Sequence, residues 1–253
     1  MKNVLITGAT SGIGKACAQA FAQKPYRLII TGRRKERLQE LKKHLDAKTE
    51  HPVLLLDFDI RNENATQEAV QSLHEKGIFI DILINNAGLA AGLAPIHEGS
   101  LSDWHQMIDT NLKGLLYISR LVSKKMVERK IGHIINISSI AGKEVYPEGN
   151  VYAATKHAVS ALTKGMRMDL LPYGIKVSAV CPGLVETAFS EVRFKGDKER
   201  AAKVYQGFQP LTAEDVAQSV LFVAQQPLHV NIDDLVIMPT AQAASKMVHK
   251  EGA

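Results

Sequence analysis

The chain reads as an α/β protein, a single domain with a doubly wound parallel sheet of about seven strands and helices on both faces. Three observations predict this. Short apolar, β-branched runs alternate with longer stretches of helical period along nearly all 253 residues. The runs are apolar throughout rather than alternating, as strands buried between two helical layers are. Polar and turn residues (Gly8, Arg33, Asp59, Asn86, Ser139, Pro182) recur just past the carboxyl ends of the runs, where open parallel sheets bind ligands.

Taken in order, residues 3–7 (N-V-L-I-T) form the first strand. Gly8, Thr10, Ser11, Gly12, Ile13 and Gly14 then open a helix carrying Ala16, Ala20 and Phe21. Strand, glycine loop and helix is the arrangement in which backbone amides and a helix amino terminus hold a pyrophosphate. The spacing is G-x-x-x-G-x-G. Residues 26–31 form the second strand, and Gly32-Arg33-Arg34 follows it. An acidic residue there binds a ribose 2′-hydroxyl, whereas an arginine accommodates a 2′-phosphate. No carboxylate comes before Glu36, and the planar fork of arginine suits phosphate, so NADP is favoured over NAD.

A helix over 35–45 leads to a strand over 53–58 that ends in Asp59-Ile60. A helix over 63–75 leads to a strand over 80–84 and then Asn86-Ala87-Gly88. A long helical pattern over 103–129 is interrupted near Asn111. A strand over 133–137 precedes Ser139, a helix covers 150–171, and a strand over 176–180 is closed by Pro182-Gly183. The segment 183–211 breaks the alternation; connections of that length are often lids or binding segments. Thr212 followed by Glu214 and Asp215 starts a helix reaching about residue 225, by hydroxyl-then-acid spacing. Residues 235–238 make the last strand, and the tail 243–253 is expected to be mobile.

Composition narrows the function classes. An apolar fraction of 45% and a charged fraction of 23% are those of an ordinary soluble domain. The net charge of +5 is spread along the chain and suits a small polyanion. No basic block with interleaved aromatics speaks for nucleic acid. No apolar run approaches the ~18 residues of a membrane span. The first residues enter a strand directly, leaving no room for a signal peptide. Cys17 and Cys181 have no metal-ligand spacing; they read as inert packing residues in a reducing cytoplasm, and no metal is expected.

The stretch from Ser139 to Lys156 carries the chemistry. Gly149 and Asn150 are turn and cap residues, so a helix beginning there puts Tyr152 and Lys156 four apart on one face. A phenol titrates near pH ~10, and a neighbouring positive charge lowers that value, which makes a usable proton donor and acceptor. Ser139, just beyond a buried strand, faces the same site.

Together, T-G-A-T-S-G-I-G, N-N-A-G, the Asn111 of T-N-L-K-G, Ser139, Y-x-x-x-K and P-G resemble the short-chain dehydrogenase/reductase family, in family order along nearly the whole chain. V-R-F-K-G-D at 192–197, H-V-N-I at 229–232 and Met238-Pro239 resemble its NADP-dependent 3-hydroxy acid dehydrogenases, a group that includes L-allo-threonine and serine dehydrogenases. The resemblance implies a Rossmann-type fold and an alcohol dehydrogenase or carbonyl reductase using NADP. It makes Tyr152 the acid/base, Lys156 the group that binds the nicotinamide ribose and lowers the phenol, Ser139 the holder of the substrate oxygen, and Asn111 the holder of a relay water. It places Asn86, Ala87 and Gly88 beside the adenosine ribose, Asp59 and Ile60 beside the adenine, and Pro182, Gly183, Val185 and Thr187 along the cofactor. A homotetramer is also implied, and apolar residues on more than one side of the 103–129 helix agree with it.

For a small hydroxy acid, the lid would supply Arg193, whose fork matches a carboxylate; solvation or a subunit contact is the competing role. Two other functions stay open. One is a broad carbonyl reductase for ketones, aldehydes or sugars. The other is an NADPH-binding sensor or scaffold without turnover, which has no need of Asn111, Ser139, Tyr152 and Lys156 together.

Overall fold

The structure, a computed structural model, describes residues 1–252. Its seven strands are β1 (Lys2–Ile6), β2 (Tyr26–Gly32), β3 (Leu54–Asp57), β4 (Ile82–Asn85), β5 (His133–Ile137), β6 (Lys176–Pro182) and β7 (Asp234–Ile237). All pair in parallel, in the order β3-β2-β1-β4-β5-β6-β7. The order reverses between β1 and β4, so a crevice opens beyond the carboxyl ends of those two strands.

Alternation within single strands explains the two layers. Val4 and Ile6 pack with Phe21, Leu28, Leu38 and Val220 on one face, while Leu5 packs with Val70, Leu83, Ile118 and Ile134 on the other. The first face is covered by α1 (Gly12–Ala22), α2 (Lys35–Asp46) and α9 (Ala213–Gln225), the second by α3 (Glu63–Glu75), α5 (Leu115–Arg129) and α6 (Asn150–Leu170). Caps fix where helices start: Asn62 Oδ1 accepts from Ala65 N at 3.0 Å for α3, and Thr212 with Asp215 makes a capping box for α9. Between the faces, Asn85 donates to Ser119 Oγ and Asn136 Oδ1, both at 2.8 Å, and Asn136 donates to Thr163 Oγ1 at 2.8 Å. Buried amides this close to an apolar core persist because they are bonded to one another. Both cysteines are free and buried; Cys17 sits in α1, and Cys181 in β6 donates to Asp234 Oδ1 at 3.2 Å. Burial pushes each thiol up to about 12.

One segment is interrupted where the sequence expects it, and two differ from the expectation. The long 103–129 pattern is α4 (Leu101–Ile108), a π-helical turn (Asp109–Gly114) and α5, because Asn111 turns its amide inward to bond backbone instead of solvent. The 183–211 segment holds two short helices, α7 (Phe189–Arg193) and α8 (Lys198–Lys203), the second capped by Asp197, which accepts from Arg200 N at 2.9 Å. Helices this short carry too few apolar repeats to register as periodicity. The tail beyond Ala243 folds back over this lid. Ser245 N donates to Glu144 Oε2 at 2.7 Å, Glu251 N to Gly207 O at 2.7 Å, and Lys250 Nζ to Lys203 O at 3.3 Å. No helix among the described residues is long and apolar enough to cross a membrane.

Candidate active site

The crevice at the strand-order reversal continues under the lid as one cavity of ≈ 680 Å³, within the range of cofactor-sized pockets. One end is the glycine loop. Gly8 adopts φ +66°, and a Cβ there would lie 2.9 Å from Ala87 Cα, so only glycine lets this turn approach the β4 end. Asn86 ties the two together, donating to Thr7 O at 2.9 Å and Gly8 O at 3.2 Å. Ser11, at the N-cap of α1, does not cap the helix; its hydroxyl accepts from Arg34 Nη2 at 3.2 Å, and Thr10 Oγ1 does so at 2.7 Å. The leading amides of α1 are therefore left for another acceptor.

Arg34 stands among like charges. Burial, with Arg37 and Arg33 nearby, lowers its affinity for its own proton. Arg33 reaches Asp59 only at 3.7 Å, and that carboxylate is held by Arg61 at 2.6 Å and kept below its usual range mainly by those bonds, against the opposing effect of burial. This end of the cavity is built for a polyanion.

At the other end, α6 presents Tyr152 and Lys156 one turn apart, both buried. Gly149 lets α6 start there because the Tyr146 ring occupies the space a Cβ would need. Ser139 caps a short turn after β5, accepts from Ala141 N at 3.1 Å and lines the cavity with Tyr152. Lys156 Nζ donates to Ile137 O at 2.9 Å. Burial lowers the lysine to about 8 and pushes the phenol up to about 12; Arg193 and Ser139 pull the phenol back. Arg193 is a cation that lowers Tyr152 here, while the Lys156 ammonium is turned to the strand-end carbonyl of Ile137.

Arg193, on α7, lies 4.9 Å above the Tyr152 ring, 5.1 Å from the Phe189 ring and 5.9 Å from the Tyr146 ring. Its Nη2 donates to Tyr146 Oη at 2.9 Å, and its carbonyl accepts from Gly92 N at 2.9 Å. Its Nε is buried without a partner. Lys195 is paired outside the cavity, with Asp103 at 2.9 Å.

The cavity lining brings together Gly8, Thr10, Ser11, Gly12, Ile13, Arg33, Arg34, Asp59, Ile60, Asn86, Ala87, Gly88, Ser139, Tyr152, Lys156, Pro182, Gly183, Val185, Thr187 and Arg193. Two residues expected with them stand behind the wall. Gly14 is packed where a Cβ would meet Asn86 Nδ2 at 2.4 Å and Gly8 O at 2.5 Å, so it serves close packing of α1 on the loop. Asn111 gives its amide hydrogens to Leu89 O at 2.8 Å and Thr155 Oγ1 at 3.1 Å, and its side-chain oxygen accepts from Leu89 N at 2.8 Å. Tyr146, Phe189, Gln242 and Lys246 line the cavity and carry no motif; the only signal available was an aromatic residue close before Tyr152 and another opening the lid.

Residues 2–198 match the short chain dehydrogenase family. The chain belongs to that family. Within it, the chain is 48% identical over 250 residues to the NADP-dependent 3-hydroxy acid dehydrogenase YdfG of Escherichia coli K12, covering 98% of this chain and 99% of the relative. It is 43% identical over 249 residues to the serine 3-dehydrogenase of Rhizobium radiobacter, covering 98% of each. A solved structure of the closed form of serine dehydrogenase complexed with NADP+ superposes with a TM-score of 0.92 at 47% identity, covering 98% of this chain and 100% of the other. The short-chain dehydrogenase fold accounts for the seven-stranded parallel sheet and the reversal between β1 and β4.

Proposed function

We propose that this protein is an NADP-dependent oxidoreductase that interconverts a small 3-hydroxy acid and its 3-oxo acid. One observation carries the substrate class: the partnerless Nε of Arg193, buried beside Tyr152, in a guanidinium flanked by aromatic rings whose Nη2 already donates to Tyr146 Oη. A buried guanidinium donor without an acceptor calls for an anion, and a carboxylate fits the fork. The relatives named for 3-hydroxy acids and serine agree with that reading.

The residues at the glycine loop fit NADP: Arg33 and Arg34 would meet the 2′-phosphate, with Thr10 and Ser11 orienting Arg34, and the leading amides of α1 would meet the pyrophosphate. Bound there, the cofactor supplies the hydride chemistry. In oxidation Tyr152, as phenolate, would take the proton of the substrate hydroxyl as the carbinol becomes a carbonyl. Ser139 holds the substrate oxygen against the phenol, and Arg193 holds the carboxylate. A phenol near 12 is neutral at physiological pH, so Tyr152 is ready as the acid for reduction; oxidation gains as the pH rises. Lys156, deprived of solvent, supplies the charge expected to meet the ribose and helps the phenol only once it leaves Ile137 O.

We also propose a cytoplasmic homotetramer. Free, buried Cys17 and Cys181 suit a reducing compartment. Met168, Leu171, Phe222 and Val236 leave large apolar surface at the carboxyl end of α6 and just past it, on α9 and on β7, which subunit contacts would cover. Light scattering at micromolar concentration tests the assembly; a monomeric mass contradicts it.

Turnover with NADP on 3-hydroxypropionate, L-serine, methyl 3-hydroxypropionate and simple alcohols tests the function. Arg193→Ala is expected to raise KM for the acids by about tenfold or more while sparing the ester. Equal loss on acid and ester contradicts the carboxylate role.

A further inference from the structure

A second cation reaches the substrate end of the cavity from the carboxyl-terminal tail. Lys246 lines the same cavity as Tyr152 and Arg193, and its ammonium lies 5.3 Å over the Tyr146 ring, the ring whose hydroxyl accepts from Arg193. The two cations are thus no farther apart than their two distances from that ring combined. Among the described residues Lys246 has no carboxylate within ion-pairing distance, unlike Lys143 and Lys195.

Its place is fixed from both sides. Ser245 N donates to Glu144 Oε2 at 2.7 Å, holding the tail to the loop that carries Tyr146. Gln242 is buried, accepting from Leu184 N at 2.8 Å and donating to Ala244 O at 3.1 Å. Ring contact uses the ammonium's charge but leaves its three N–H donors free, and at an exposed site it contributes only about 0.5–1 kcal/mol. The one carboxylate lining the cavity, Asp59, lies at the glycine-loop end and is already bonded to Arg61. The other tail lysine of the lining, Lys250, is bonded to Lys203 O and Val204 O. Within this cavity, the lining at the Tyr152 end therefore supplies two cations with free donors and no carboxylate, while Asp103, which lines the adjoining pocket, is paired with Lys195.

We infer that Lys246 is a specificity-determining residue, and that with Arg193 it adapts the site to 3-hydroxy acids bearing a second anionic group beyond the reacting carbon, such as hydroxy dicarboxylates. This rests on the proposed 3-hydroxy acid activity. Arg193, against Tyr152, takes one carboxylate; Lys246, over the Tyr146 ring, takes the other, on the far side of the carbinol carbon.

The test compares kcat/KM for oxidation of 3-hydroxyglutarate, a dianion, with that for 3-hydroxypropionate, a monoanion, in wild type and in Lys246→Gln, Lys246→Glu and Lys246→Arg. The dianion-to-monoanion ratio is expected to fall about fivefold or more in Lys246→Gln, further in Lys246→Glu, and to be restored in Lys246→Arg. Added salt should shrink the wild-type ratio. A ratio that stays constant across the variants, or wild-type turnover of the monoanion alone, overturns the inference and leaves the proposed activity standing. Absence of turnover on both acids with NADP overturns the two together.

Discussion

At the glycine-loop end of the cavity, the groups facing a ligand come from successive β-α units between Gly8 and Gly88, and most are backbone or short side chains. At the other end, Tyr146, Tyr152, Arg193 and Lys246 come from the loop before α6, from α6, from the lid and from the tail. The first end recognises through spacing: glycines that let main chain approach within contact distance. The second recognises through long side chains that converge only after the chain is folded. A polyphosphate common to many reactions can be met by backbone; one particular acid cannot, and its recognition falls to side chains that are free to change.

The largest effect that could break this division comes from Tyr152→Phe. Turnover should drop by ~10²–10⁴-fold or more, while NADPH affinity, read by fluorescence titration, stays near wild type. Retention of most of the rate would remove Tyr152 from the chemistry. Next, Arg33→Ala combined with Arg34→Ala should lower the NADP-to-NAD ratio of kcat/KM by about tenfold or more per arginine. A constant ratio would place 2′-phosphate selectivity elsewhere.

Smaller is Gly14→Ala. Its Cβ would collide with Asn86 Nδ2 and Gly8 O, so a destabilisation of ~1–3 kcal/mol is expected in urea unfolding, with KM for NADP rising more than KM for the acid. An equal change in both would join the two ends that the comparison separates.

The smallest effect is set by pH and comes from Lys156 at the Tyr152 end. Lys156 titrates near 10.5 when unfolded and about 8 when folded. Below about 8 both states are charged and the burial penalty is fully present; between about 8 and 10.5 the unfolded chain binds more protons, so stability rises with pH. The slope is at most ~1.4 kcal/mol per unit. Urea midpoints should rise between neutral pH and about pH 8.5 in wild type and not in Lys156→Met; above about 9 the two raised thiols act in the opposite direction.

What could be read from the sequence follows the same division. The seven strands, the glycine loop, Arg33-Arg34 and the Tyr152–Lys156 pair were legible because each is a local pattern whose geometry a short segment sets by itself. Gly14 was assigned to the cofactor because spacing cannot distinguish a glycine that faces a ligand from one that admits a neighbouring helix. The expectation that Lys156 lowers the phenol rested on their four-residue separation, which fixes a shared face but not which way an ammonium turns. The contacts of Tyr146, Phe189 and Lys246 join segments distant in the chain, and the tail is held by backbone polar groups that leave no hydrophobic trace.

Cys17 lies in the core under α1, behind the glycine loop, and Cys181 in β6 lies next to Pro182 at the Tyr152 end. With each thiol pushed up to about 12 and sealed from solvent, neither reacts with an alkylating reagent at neutral pH until its surroundings open. The protein thereby carries one internal reporter of local opening in each of the two regions. Following alkylation of the two cysteines by mass spectrometry, with NADP alone and then with substrate, would show which region each ligand keeps shut.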